Sequence, residues 1–205
     1  MARVLVCANR KGGVGKSVLA VNLGAILARR YPTLLIDADP QATASQSLES
    51  TEALPVVHCP DLASLERVLE TARTGRGVAV VDCPPALPDP TAAALRYANL
   101  VVVPVLPSPA SIRSVGPFLE GLAGGKVRAL VVLNGCKGGT TAPAIAREAL
   151  KAYGVRIARQ DLGHRIVYAR AEERRQAVLD VAPSSLAAIE LMNLSREVTR
   201  LLMEG

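Results

Sequence analysis

Aromatic side chains are nearly missing from this 205-residue chain, which has no Trp, one Phe and four Tyr. Any core must therefore be aliphatic, and the 50% of apolar residues, mostly Val, Leu, Ile and Ala, is ample for one. The same scarcity argues against recognition of single-stranded nucleic acid by base stacking. Long apolar runs are lacking too. None approaches the roughly 18 residues that a membrane-spanning helix needs. The first apolar run is short and leads straight into a glycine-rich loop, unlike a secretory leader. The expected location is the cytoplasm, with no stable membrane insertion. Cysteine is sparse: Cys7, Cys59, Cys83 and Cys136 form no C-x-x-C pair, and two lie in or beside apolar runs. They read as free buried thiols in a reducing compartment rather than as metal ligands.

What is present is a regular alternation. Short apolar runs at 4–8, 33–37, 78–82, 100–105 and 127–133 read as strands, with shorter candidates at 55–59 and 155–158. Between them lie helical patterns at 16–30, 61–73, 89–97, 111–123, 141–153, 164–178 and 184–203, and a polar short helix at 41–50. Pro84, Pro85 and Pro88 exclude a helix where they stand, and Pro107 and Pro109 form a stiff corner. Strands without polar alternation belong to a sheet covered on both faces. The expected fold is α/β, a doubly wound, mostly parallel sheet with helices on both faces. No repeat, low-complexity tract or linker interrupts it, so 1–205 is expected to be a single domain.

Ligands of such sheets bind beyond the carboxyl ends of the strands. There the chain carries Asn9-Arg10-Lys11-Gly12-Gly13-Val14-Gly15-Lys16-Ser17-Val18, between the first strand and the first helix. Glycines let successive backbone N–H groups turn toward phosphate oxygens, and the helix start adds its positive dipole end. Lys16 would reach the β/γ-phosphates and Ser17 would ligate Mg²⁺. The ordinary pattern has a glycine where this chain has Arg10, followed by a second lysine, Lys11. Asp37, Asp39 and Asp82 also close strands or follow them directly. Asp82 suits the Mg²⁺ environment, with a helix cap as the competing reading. Asp37 and Asp39 suit Mg²⁺ and an attacking water, or a plain Asx-type turn.

In this order and spacing, Lys11 to Ser17, Asp37-Ala38-Asp39-Pro40-Gln41 and Val80-Val81-Asp82-Cys83-Pro84-Pro85 resemble the deviant Walker P-loop ATPases of the ParA/MinD group. Val103 to Pro109, His164 to Ala169 and Ala182 to Ser185 resemble most the small ParA-type partition ATPases, the ParF-like group. The resemblance implies ATP and Mg²⁺ as cofactors and weak ATP hydrolysis stimulated by a partner. It also implies a nucleotide-sandwich homodimer, extending in some members to polymers. Lys11 would cross to the partner's phosphates, Lys16 and Asp39 would complete the catalytic set, and Asp37, Asp82 and Ser17 would surround the metal. Gly12, Gly13, Val14, Gly15 and Val18 would hold phosphate, while Pro107 and Asn134 match positions near the adenine. No N-terminal helix-turn-helix domain is expected, and a ParB-type centromere-binding partner is.

Net charge is +6, and residues 151–175 hold seven basic side chains against three acidic. A basic stretch suits a polyanion, with a solvated helix face as the competing reading. The resemblance points to non-specific DNA at the nucleoid, with Arg156, Arg159, Arg165, Arg170, Arg174 and Arg175 as contacts. Pairing with Asp161, Glu172 or Glu173 would remove them from that role. The expected function is DNA partition. The alternative is a MinD-like or other ParA-like ATPase that positions a division site or protein complex at membrane or nucleoid. The last helix, with mixed charge and no Phe or Trp, suits packing on the sheet better than membrane targeting.

Overall fold

The structure is a computed structural model that describes residues 1–49, 51–85 and 88–204. Seven strands form one sheet: β1 (Arg3–Cys7), β2 (Thr33–Asp37), β3 (Val56–His58), β4 (Val78–Asp82), β5 (Leu100–Val105), β6 (Arg128–Leu133) and β7 (Arg156–Ile157). Their order is β3-β2-β4-β1-β5-β6-β7, and every pairing is parallel. The helices are α1 (Lys16–Ala28), α2 (Thr43–Ser47), α3 (Leu62–Thr74), α4 (Pro88–Tyr97), α5 (Pro109–Ala123), α6 (Ala142–Leu150), α7 (Val167–Glu173), α8 (Val178–Val181) and α9 (Leu186–Met203).

The unbroken apolar strands follow from helices on both faces. Along β1, Leu5 and Cys7 pack with Leu19 and Leu23 of α1 and Leu191, Leu194 and Val198 of α9. Val4 and Val6 turn the other way, into a core with Leu65 and Leu69 of α3 and Val115 and Leu119 of α5. A strand with a helix layer on either side has no face left for polar residues. The register aligns Cys7 with Asp82 and Asp37 with Asp82. The acidic strand ends and the loop leaving β1 thus lie at one edge of the sheet.

Helix starts follow local chemistry. Asp61 caps α3, accepting from Ser64 N at 2.7 Å. Ser108 caps α5 and accepts from Ser111 N, with Pro109 in the first turn, so this helix begins two residues earlier than expected. Pro88 begins α4 rather than excluding it, because a proline at the first helical position gives up no bond.

Other expectations shorten. Of the helix expected over 164–178 only 167–173 forms, as α7, and α8 starts at its last expected residue, Val178. His164 N is bonded to Cys136 O at 2.9 Å, which keeps the start extended, and Arg175 turns left-handed at φ 52°. The polar helix expected over 41–50 covers 43–47, and its last expected residue, Ser50, lies outside the described set. The last strand has two residues, and the helix expected to reach 153 ends at Leu150 in a 3₁₀ turn. Among the described residues no helix is long and apolar enough to cross a membrane.

Candidate nucleotide site

The ladder between β1 and β5 ends at Ala8, whose N–H reaches Val102 O at 3.1 Å. The chain then folds back over residues 9–15 into α1. Gly13 and Gly15 take φ of 69° and 95°, in the left-handed region that favours glycine. A Cβ on Gly15 would lie 2.2 Å from Asn134 Nδ2. That amide donates to Val14 O at 2.7 Å, so the end of β6 braces the loop. Gly15 caps α1 without a side-chain bond, leaving the first N–H groups of the helix turned to the loop. Gly12 is exposed, and among the described residues a Cβ there would touch Pro85 alone, at 4.0 Å.

Lys16 is only 6% exposed and donates from Nζ to Lys11 O at 3.3 Å. Burial lowers its pKa, against the pull of Asp82 and Asp39. Lys11 is half-buried, and its N–H donates to Asn9 Oδ1 at 3.0 Å. Val18 lies in the first turn of α1, where its carbonyl accepts from Asn22 Nδ2.

Asp82 is fully buried, and among the described residues neither carboxylate oxygen has a hydrogen-bond partner. Burial pushes its pKa up to about 7, and Asp37 and Asp39 add to the rise. The Ser17 hydroxyl and Lys16 act in the other direction, although the Ser17 contact falls short of hydrogen-bond geometry. A buried carboxylate without a donor, beside a hydroxyl and a lysine, fits a divalent cation. Among the described residues no three His, Cys, Asp or Glu side chains converge as a metal cluster. Mg²⁺ needs no such cage, since it keeps water and takes phosphate oxygens.

Asp37 is also fully buried, but its oxygens are engaged: Oδ1 accepts from Asp39 N at 3.1 Å and Oδ2 from Ser45 N at 2.7 Å. It thus serves the Asx-type turn that the sequence left open. Asp39 accepts from Gln41 N at 3.0 Å, and its carbonyl contacts His58 Nε2 at 3.0 Å. Asn134 stands just past β6, bonded by its N–H to Val105 O. Pro107, half-buried, lies two residues beyond the end of β5 at the same edge. Two open grooves of about 450 and 490 Å³ run along α9, away from the loop.

The six candidate arginines divide. Arg165 pairs with Glu190 at 2.6 Å and Arg156 reaches Glu197 at 3.9 Å. Neither acid was among the expected partners, and Asp161 is taken by Arg147 instead. Arg175 donates to Ser45 O at 3.4 Å, on the segment capped by Asp37. Arg159, Arg170 and Arg174 are exposed, with no ion pair for their side chains among the described residues. Sequence reasoning missed Asn9, Asn22, Ser45 and His58. The only signal for Asn9 was a polar residue at the end of an apolar strand.

Residues 5–194 match the CobQ/CobB/MinD/ParA nucleotide binding domain. Among curated proteins, the chain is 45% identical over 113 residues to maintenance of carboxysome distribution protein A of Gloeobacter kilaueensis, covering 52% of this chain and 50% of that one. The protein of the same name from Halothiobacillus neapolitanus is 27% identical over 203 residues, 94% of each chain. The chromosome-partitioning ATPase Soj of Thermus thermophilus is 34% identical over 135 residues, 50% of this chain and 54% of that one. The chain thus spans about half the length of the Gloeobacter and Thermus relatives. The septum site-determining protein MinD of Pyrococcus horikoshii, complexed with Mg-ADP, has the same fold, with a TM-score of 0.80, 17% identity and coverage of 98% and 97%. With the loop, the acidic strand ends and a match over nearly its whole length, the chain belongs to the CobQ/CobB/MinD/ParA nucleotide-binding family.

Proposed function

We propose that the chain is an ATP hydrolase that positions cargo by cycling between an ATP-bound dimer held on non-specific DNA and a released form. The observation that carries this reading is the donorless Asp82 carboxylate beside Ser17, at the foot of a loop with two lysines. Gly12, Gly13, Val14, Gly15, Lys16 and Val18 hold the phosphates, with Pro107 and Asn134 beside the adenine. Mg²⁺ would supply charge neutralisation on the phosphates, and Ser17, Asp37 and Asp82 would hold it. Lys11 acts across the dimer on the partner's phosphates, where negative charge develops. Asp39 orients the attacking water.

The exposed arginines support the DNA half of the cycle, with Arg170 and Arg174 ahead of the paired Arg156 and Arg165. Arg159 and Arg175 complete the set. The carboxysome-distribution relatives favour a protein assembly as cargo, and the proposed DNA binding would hold the ATPase at the nucleoid in the cytoplasm. The Soj relative favours the second reading, DNA partition with a ParB-type centromere-binding partner. Under either reading a partner protein would stimulate an otherwise weak ATPase.

The test is DNA retention with Mg²⁺ and ATP, with ADP, and on liposomes. The reading requires ATP-dependent DNA binding and no lipid binding. Lys16→Ala should lose nucleotide affinity, while Lys11→Ala should keep it and lose dimerisation and turnover. ATP-independent DNA binding, or equal loss of nucleotide affinity in both variants, would refute it.

A further inference from the structure

Asn9 is 3% exposed and uses both ends of its carboxamide. Nδ2 donates to Pro104 O of β5 at 2.7 Å, and Oδ1 accepts the N–H of Lys11 at 3.0 Å. The place of these bonds is set by the sheet. In the parallel ladder, Cys7 pairs with Val102 and Ala8 N reaches Val102 O. The next step would take an N–H from residue 104 to Ala8 O and an N–H from residue 10 to the carbonyl of 104. Residue 104 is proline and has no N–H to give. Its carbonyl is taken by the Asn9 side chain instead. The ladder therefore stops at a fixed residue, and a buried side chain carries its last bond into the loop.

We propose that Asn9 is a positioning residue for Lys11. Anchored to β5, its carboxamide fixes the Lys11 backbone and so directs the lysine out of the loop toward the second subunit. The proposal rests on the role given to Lys11 above. Lys11 is suited to such control because its carbonyl also holds the ammonium of Lys16. Loss of the anchor should spare the Gly12 to Ser17 cradle, because Asn134 braces that arm of the loop independently.

The experiment compares wild type, Asn9→Ala, Lys11→Ala and the double variant. Three quantities are measured: affinity for a fluorescent ADP, dimerisation with Mg²⁺ and a slowly hydrolysed ATP analogue, and amide hydrogen exchange at Lys11 without nucleotide. Asn9→Ala should weaken dimerisation about tenfold, the scale of one lost buried hydrogen bond. Its ADP affinity should stay within about threefold of wild type, a change too small for the loss of a phosphate contact. Exchange at Lys11 should quicken, and the double variant should dimerise no worse than Lys11→Ala alone. Wild-type dimerisation or unchanged Lys11 exchange in Asn9→Ala would overturn the proposal, as would additive losses in the double variant. If Asn9→Ala does not fold, Asn9→Ser, with a donor and acceptor on a shorter arm, is read the same way. A wild type that does not dimerise with the ATP analogue refutes the sandwich reading instead, and the exchange measurement still decides whether Asn9 holds Lys11.

Discussion

Two loop glycines look alike in sequence and differ in what surrounds them. Gly13 takes φ 69° with none of the described residues within 4 Å of a built Cβ, whereas Gly15 takes φ 95° with Asn134 Nδ2 at 2.2 Å. Gly13→Ala should therefore cost only the left-handed strain, about 1 kcal/mol. Gly15→Ala adds the displacement of Asn134 and the loss of its bond to Val14, for a total of about 2–4 kcal/mol. Urea denaturation of the nucleotide-free protein should show that order. Titration with fluorescent ADP should show Gly15→Ala weaker by more than about tenfold and Gly13→Ala less affected. Equal costs would mean that Asn134 yields freely and does not brace the loop. Asn134 matched a position near the adenine, and the structure gives it this second engagement.

Between elements, the contacts that matter most are polar and few. Asn22, 4% exposed in α1, accepts the N–H of Val178 at 2.8 Å and so ties the helix that follows the phosphate loop to α8. Asn22→Ala would leave that buried N–H without an acceptor, at about 1–3 kcal/mol. Chemical denaturation should show a lower midpoint with an unchanged slope, and an unchanged midpoint would show that water reaches the N–H. A second tie runs through α2. Asp37 caps Ser45, Arg175 donates to the Ser45 carbonyl, and Glu49 N donates to Arg175 O at 3.0 Å. The non-glycine residues Ala42 and Arg175, with φ of 54° and 52°, border this contact. Strain of that kind is stored where packing holds it. The segment beside the acidic strand ends is thus in direct contact with the turn that follows α7.

Over the whole molecule the net charge of +6 is unevenly spread, and ion pairs engage part of the basic stretch. Binding to DNA releases about one counterion per phosphate contact. The slope of log affinity against log salt should fall by about one for Arg170→Ala and again for Arg174→Ala. Arg165→Ala should change the slope less, because its guanidinium is held by Glu190. Fluorescence anisotropy with duplex DNA across a salt series, in Mg²⁺ and ATP, measures this. A steeper loss at Arg165 than at Arg170 or Arg174 would show that the Glu190 pair opens on DNA.

The sequence by itself determined the sheet, the helix layers and the phosphate loop. Strands buried on both faces must be apolar throughout, and a loop that turns N–H groups inward must carry glycine, so both leave local marks. Strand-ending Asp37 and Asp82 were legible for the same reason, by position alone. Tertiary structure decided what depends on partners far apart in the chain. Glu190 and Glu197 take Arg165 and Arg156 because α9 folds back beside β7, and nothing near those arginines announces it. The break at Arg175 follows from contacts with α2, not from a helix-breaking residue. Asn9, Asn22 and Asn134 are neutral and aperiodic, and each acts through a carboxamide that finds a backbone group 95 to 156 residues away. A hydrogen bond over that separation exists only once the sheet has brought the strand ends together.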